Sequence, residues 1–199
     1  MPQPFVKLNI GSGLSGAPGW HNIDNSPTVL LSRLPFGRKL FKTPPWPRDV
    51  RHYDVTKGLP FPDQSVLYIY SSHTFEHFAW EASLAVAREC FRVLQPAGIL
   101  RICVPNLRIA VNDYLQSSDP LASHFFVRRL SLAHTFHDLV HPGANHSQMF
   151  DERSLLHLFR EAGFPQPAVK SFLKSSIDDI AAIELPERKH ESVYVEASR

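Results

Sequence analysis

The strongest constraint on the fold of this 199-residue chain is the stretch from Val6 to Gly13. Apolar residues in the pattern of a short buried strand end abruptly at the loop Gly11-Ser12-Gly13. Glycine has no Cβ and accepts positive φ, so such a loop lets a bulky ligand lie against the backbone. Asp24 ends the next short strand, where an acid is placed to hold a ribose. Because a glycine loop alone matches many dinucleotide-binding proteins, the rest of the chain has to narrow the prediction.

Strand and helix patterns alternate along the chain. Strands are predicted at 5–10, 20–24, 52–55, 66–71, 99–104, 168–173 and 192–197, and amphipathic helices at 80–94, 119–139 and 152–162. This alternation predicts an α/β fold with a Rossmann-like, doubly wound, mostly parallel seven-stranded sheet and helices on both faces. Only ten residues separate Gly13 from Asp24, so the first helix is expected to be missing or shortened.

Length and composition indicate one globular domain over residues 1–199. A segment at about 27–51 carries five prolines and six Lys or Arg residues against the single acid Asp49. It is either a solvated surface insertion or a basic lid that attracts an anionic substrate. A helical insert is expected at about 107–150.

The net charge, the apolar runs and the cysteines of the chain indicate which binding partners and which cellular compartment to expect. The formal net charge is only +2, so nucleic acid is not an expected partner. No apolar run approaches the roughly 18 residues that span a bilayer, so no membrane span is expected. Cys90 and Cys103 lie in apolar patterns, which favours a reducing compartment and a cytoplasmic location. The oligomeric state is left open.

Polar residues follow the first four predicted strands. Gly11 and Gly13 follow the first strand, Asp24 the second, Asp54 the third, and the segment 71–77 the fourth. In doubly wound sheets a ligand binds in the crevice outside the carboxyl ends of the strands. The sequence therefore predicts one crevice formed by four strand ends.

At this point the chain resembles the class I S-adenosylmethionine-dependent methyltransferases, in particular a small type-11-like group. The resemblance covers nearly the whole chain. It is carried by Leu8–Gly13, Pro18–Asp24, Leu59–Asp63, Ser72–His77, Arg92–Gly98, Ile99–Pro105, His146–Ser154 and Glu191–Ala197. It implies a transferase that binds S-adenosyl-L-methionine and releases S-adenosyl-L-homocysteine.

The resemblance also implies roles for the early residues. The backbone of Gly11, Ser12 and Gly13 would pass beneath the methionine part of the cofactor. Asp24 would accept hydrogen bonds from both ribose hydroxyls, a bidentate use that suits a carboxylate. Asn9 stands where the family usually has an acid, and its amide can still hydrogen bond the ammonium end.

Further roles fall after the third and fourth strands. By the same resemblance, Asp54 would take the adenine amino group, and the Val55 backbone would contact the ring edge. Ser71, Ser72 and His73 would line the sulfonium and the path of the methyl group.

Methyl transfer from a sulfonium needs a general base only if the acceptor arrives protonated. Histidine suits that role near neutral pH, and the candidates are His73, His141 and His146, with His77 beside them. The expected acceptor is a small molecule or a glycan-like compound, and the basic segment at 27–51 favours an anionic one.

Two alternatives stay open. The chain could be a non-catalytic module that keeps a methyltransferase-like fold. His73-Thr74-Phe75-Glu76-His77 also matches the His-x-x-Glu-His pattern of inverted zinc peptidases, which makes a metal-binding hydrolase a remote alternative. That pattern needs its residues on a helix, whereas these follow a strand, so no metal ligands are assigned from the sequence.

Overall fold

The structure is a computed structural model that describes residues 6–40, 45–122 and 146–199. Seven strands form one sheet in the order β3-β2-β1-β4-β5-β7-β6. They are β1 Val6–Ile10, β2 His21–Asp24, β3 Arg51–His52, β4 Val66–Ser72, β5 Leu94–Pro105, β6 Ala168–Lys170 and β7 Ser192–Ser198. Strands β1 to β5 are mutually parallel, and β7 is antiparallel to both β5 and β6. The predicted mostly parallel, seven-stranded α/β fold is confirmed.

Five α-helices lie in the described residues. They are α1 Pro27–Arg33, α2 Gly37–Leu40, α3 Trp80–Val93, α4 Leu107–Gln116 and α5 Glu152–Glu161. Short 3-10 turns occur at Val55–Lys57, Phe75–His77, Ile180–Ala182 and Pro186–Arg188. Most of the helix predicted at 119–139, and the part of the 107–150 insert from 123 to 145, lie outside the described residues.

No helix separates β1 from β2, as the short spacing predicted. The connection is held by Asn22, whose side chain is almost fully buried. Its Oδ1 accepts from the Ala17 N–H at 3.1 Å and from Asn9 Nδ2 at 2.9 Å. In a helix, backbone N–H groups are paired with carbonyls of the same helix. Here the Asn22 side chain supplies the partner for the backbone N–H of Ala17.

The third strand is shorter than predicted. It ends at His52, and Val55 belongs to a 3-10 turn that Asp54 caps. The reason is local, because the Asp54 carboxylate accepts from the Thr56 N–H at 3.1 Å and bends the chain away from the sheet. This turn aims the backbone at 54–56 toward the end of the sheet.

The largest core cluster includes residues of the central strands together with residues of α3 and α5. Helix α5 begins at the N-cap Asp151, whose Oδ1 accepts from the Ser154 N–H at 2.8 Å. Both cysteines are buried and unpaired, as their apolar patterns predicted. Within the described ranges, no helix combines the length and apolar character that crossing a membrane requires.

Candidate active site

A cavity of about 820 Å³ opens at the carboxyl ends of the central parallel strands. Its volume is in the range of small-molecule and cofactor sites. The loop after β1, the end of β2, the turn after β3 and the exit of β4 all contribute to its wall. Asp24 and Asp54 therefore face one crevice, as the convergence of strand ends predicted.

The glycine loop is fastened to β2. The N–H groups of Gly11 and Ser12 donate to the Ile23 carbonyl at 2.9 and 3.1 Å. Gly11 and Gly13 have φ values of +66° and +53°, a region that glycine enters at little cost. A Cβ on Gly11 would lie 1.9 Å from Thr74 Oγ1, so this glycine is required by a neighbouring side chain.

Asp24 is held by backbone N–H groups on both sides. Its Oδ2 accepts from Gly13 at 2.9 Å, and its Oδ1 accepts from Ser26 at 2.8 Å. Each carboxylate oxygen can accept more than one hydrogen bond, so the group keeps capacity for a ligand in the cavity.

Asp54 and Val55 lie across the cavity wall from the glycine loop. Oδ1 of Asp54 accepts from the Thr56 hydroxyl at 2.6 Å, and this bond is the main cause that lowers the pKa of Asp54. The carboxylate is therefore ionised at neutral pH and can accept from an amino group.

Successive side chains of β4 point to opposite faces of the sheet, so its predicted site residues do not all face the cavity. Ser72 lines the cavity, whereas Ser71 is fully buried and donates to the Ile10 carbonyl at 3.1 Å. The structure therefore corrects the prediction for Ser71, which fastens β4 to β1. Tyr70 shares the face of Ser72, and neither hydroxyl has a hydrogen-bond partner among the described residues. Asn9, also predicted, lines the cavity.

Three histidines and an arginine occupy one end of the cavity: His73, His77, His146 and Arg188. His73 Nε2 lies 2.8 Å from Ser192 Oγ, and the rings of His77 and His146 are 5.3 Å apart. The Arg188 guanidinium pairs with Glu191 at 2.9 Å. His141, the third histidine proposed from the sequence, lies outside the described residues.

Beneath this end lies Glu76, a residue that the sequence analysis gave no role in the cavity. Its side chain is fully buried, and Oε1 lies 3.7 Å from His73 Nδ1 and 3.9 Å from His77 Nε2. Neither carboxylate oxygen accepts a hydrogen bond within the described part of the chain. Burial raises the pKa of Glu76 to about 8.

The zinc-peptidase pattern His73-Thr74-Phe75-Glu76-His77 requires a helix. The structure has a 3-10 turn at Phe75–His77 instead.

The basic segment does not reach the described cavity wall. Among the described residues of 27–51, none lines the cavity, and Arg33 instead donates to the Pro47 and Val50 carbonyls. The side chain of Arg38 and the whole of Lys42 lie outside the described part.

The segment before β7 also contributes to the cavity, which was not predicted from the sequence. Ile183, Leu185 and Arg188 line the cavity. The segment is fastened to the sheet by Arg101, a fully buried arginine whose Nε donates to Glu184 Oε1 at 2.6 Å. One signal was available, because a charged residue inside the apolar strand Ile99–Val104 needs a buried partner.

Part of this chain is similar in sequence to known proteins. Residues 21–102 match the family described as "Methyltransferase domain". A protein of Mycolicibacterium smegmatis described as "Probable S-adenosylmethionine-dependent methyltransferase" is 32% identical over 122 residues, 61% of this chain. The chain spans 42% of the length of that curated relative.

Solved structures share the fold. A SAM-dependent methyltransferase from Archaeoglobus fulgidus superposes with a TM-score of 0.56 at 14% identity, over 99% of this chain and 87% of its own. PigF, solved with SAH, superposes with a TM-score of 0.51 at 16% identity, over 98% of this chain and 50% of its own. At these identities the likeness shows the fold alone. The matched family and the curated relative show that part of this chain is similar to a methyltransferase domain, and the solved methyltransferases share its fold.

Proposed function

We propose that this protein is a methyltransferase that takes a methyl group from S-adenosyl-L-methionine and transfers it to a small-molecule or glycan-like acceptor. The observation that carries the proposal is that Asp24, Asp54 and the glycine loop border a single cavity of about 820 Å³. When bound, the cofactor supplies a methyl group on a positively charged sulfur, which is already activated for displacement.

The residues around the cavity fit that cofactor. Asp24 is an oriented carboxylate with lone pairs left for two ribose hydroxyls, and Asp54 is an ionised acceptor for an amino group. The buried Ser72 hydroxyl has no hydrogen-bond partner in the described residues and would gain one from a polar ligand. Asn9 would hydrogen bond the ammonium end, and the Val55 backbone would contact the adenine edge.

The histidine end of the cavity is the proposed acceptor site. His73 adjoins Ser72, so it would lie next to the methyl group, and His77 and His146 lie on the same wall. If the acceptor is a hydroxyl, an imidazole there can remove its proton. The positive charge for an anionic acceptor would come from Arg188, since the described part of the 27–51 segment does not line the cavity.

The first test is calorimetry with S-adenosylhomocysteine. The wild-type protein should bind it, and Asp24→Ala should abolish binding, whereas Asp113→Ala on the exposed face of α4 should leave it unchanged. Absence of binding to the wild type would overturn the proposal. Incubation with labelled donor and an acceptor panel, read by the mass of one added methyl group, then separates an enzyme from a binding module.

A further inference from the structure

We propose that Glu76, His77 and His146 form a binding site for a divalent transition metal ion at the histidine end of the cavity. One ligand atom from each of these residues lies within 4.8 Å of the other two. The carboxylate and the imidazole of His77 are already closer, with Glu76 Oε1 3.9 Å from His77 Nε2. Glu76 and His146 are 70 positions apart in the sequence, so only the fold brings them together.

The first support is the state of the Glu76 carboxylate. It is completely shielded from solvent, and neither oxygen accepts a hydrogen bond from the described residues. Burying a carboxylate without partners is costly, so such groups are usually paired with a cation or coordinate a metal. The nearby imidazoles lie at 3.7 and 3.9 Å, beyond hydrogen-bond range, which leaves room for an ion between the groups.

The second support is that the scaffold holds the three groups together without the metal. The N–H groups of Ser147 and Gln148 donate to the Glu76 carbonyl at 2.7 and 3.2 Å. The Ser147 hydroxyl donates to the His77 carbonyl at 2.9 Å. The residue after His146 is therefore fastened to the turn that carries the other two ligands. Such preorganisation lowers the ordering cost of binding an ion.

The donor set indicates which metals fit. Two imidazoles and one carboxylate are typical ligands of Zn²⁺ and of similar first-row ions, whereas Ca²⁺ and Mg²⁺ prefer sites made of oxygen. Bonds of about 2.0–2.2 Å in tetrahedral geometry place ligand atoms about 3.4 Å apart. The 3.9 Å separation can reach that value through a small side-chain rotation.

Three protein ligands leave a fourth position open. His77 and His146 both line the cavity, so that position faces the space where the acceptor is proposed to bind. This statement rests on the proposed function, and the metal site itself does not. His73 Nδ1, 3.7 Å from Glu76 Oε1, is placed to orient the carboxylate.

The test uses the tag-free protein of residues 1–199, dialysed against chelator and titrated with Co²⁺ while its d–d absorption is followed. We expect one equivalent to bind, and Zn²⁺ to displace it. Glu76→Gln and His146→Ala should each weaken Co²⁺ binding at least tenfold, whereas His21→Ala, which removes an exposed histidine at the start of β2, should not. Thermal melting of each metal-free variant verifies that it is folded. His77→Ala replaces any variant that fails this control.

Two outcomes would overturn the metal site: no Co²⁺ bound by the wild type, or equal affinity in the folded ligand variants. Calorimetry with S-adenosylhomocysteine on the metal-free protein separates this failure from failure of the proposed function. Cofactor binding without any bound Co²⁺ would reject the metal site alone. Stoichiometric Co²⁺ without cofactor binding would reject the methyltransferase proposal and leave the metal site standing.

Discussion

The Gly13 N–H donates to Oδ2 of Asp24 at 2.9 Å, which fastens the tip of the glycine loop to the end of β2. The second oxygen of the same carboxylate accepts from the Ser26 N–H at 2.8 Å. Asp24 is thus fixed in position before any ligand arrives. A carboxylate that needs no reorientation loses little entropy when it accepts further hydrogen bonds from a ligand.

A first prediction concerns the charge of Asp24. Asp24→Asn keeps the size of the side chain but weakens hydrogen bonds that depend on a carboxylate acceptor. We expect the affinity for S-adenosylhomocysteine to fall about 10- to 100-fold, since hydrogen bonds to charged groups contribute roughly 1.5–3 kcal/mol. Calorimetry measures this change. Asp113→Asn is the matched control, and an unchanged affinity in Asp24→Asn would contradict the ribose assignment.

A second prediction separates the two glycines of the loop. Gly11→Ala adds a Cβ 1.9 Å from Thr74 Oγ1 at a residue with φ of +66°, whereas a Cβ on Gly13 meets nothing within 4 Å. Gly13→Ala should lower the free energy of unfolding by about 1–2 kcal/mol, because alanine is unfavourable in the left-handed backbone conformation. Gly11→Ala should cost more, because overpacking adds roughly 1–3 kcal/mol.

Urea denaturation of the two variants gives the comparison. Adding Thr74→Ala to Gly11→Ala removes the clashing atoms Oγ1 and Cγ2, so the double variant should regain part of the lost stability. Equal stability of the two single variants would show that Thr74 moves aside freely.

A third prediction concerns Glu89, which accepts from the Leu59 N–H at 2.9 Å and pairs with Arg92 at 2.8 Å. The Arg92 guanidinium lowers the pKa of Glu89 to about 2. This is below the value of about 4.3 for an unperturbed glutamate, so the stabilisation is complete above that pH and is lost as the pH falls toward 2.

Glu89→Gln should therefore destabilise the protein at pH 7, by about 1–2 kcal/mol after allowance for partial exposure. The difference in the free energy of unfolding between Glu89→Gln and the wild type should become smaller as the pH is lowered from 4.5 to about 3. Urea denaturation at several pH values measures it, with the exposed Glu161→Gln as control. A difference in the free energy of unfolding that stays constant over this pH range would contradict the lowered pKa of Glu89.

A fourth prediction concerns the buried ion pair of Arg101 with Glu184, 2.6 Å apart. Arg101→Met leaves the buried carboxylates of Glu184 and Glu196 without their cation, so the free energy of unfolding should fall by about 3–5 kcal/mol. Adding Glu184→Gln should restore part of it. Chemical denaturation measures both, and Arg108→Met on the exposed side of α4 is the control. A loss below 1 kcal/mol would mean that the segment before β7 is held by other contacts.

A fifth prediction concerns Arg188, which lines the cavity at the end where the acceptor is proposed to bind. For an anionic acceptor, Arg188→Gln should raise KM for the acceptor about tenfold or more while leaving cofactor affinity unchanged. Lys39→Gln in the basic segment should change neither quantity, because Lys39 does not line the cavity. Steady-state kinetics with the identified acceptor distinguishes the two variants. If Lys39→Gln raised KM and Arg188→Gln did not, the basic segment at 27–51 would be the part that binds the anion.

The α/β architecture, and a crevice at the carboxyl ends of the first strands, could be predicted from the residue pattern alone. A strand that stops before Gly11, an acid separated from Gly13 by ten residues and a second acid at Asp54 are local patterns. Parallel strands bring their carboxyl ends to one edge of a sheet, so these patterns were enough to predict one crevice. The structure confirms it, since all of these residues line the same cavity.

The histidine end of the cavity, by contrast, depends on how segments distant in the sequence pack together. Ser71 and Ser72 are neighbours in the sequence, yet the pleat of β4 turns one into the sheet and the other into the cavity, and this depends on register. Arg188 and His146 reach the wall from segments distant in sequence, through the Arg101 ion pair and the bonds to Glu76. Such contacts leave no periodic pattern in a sequence, because they join side chains whose separation along the chain is set by the fold and not by local backbone geometry.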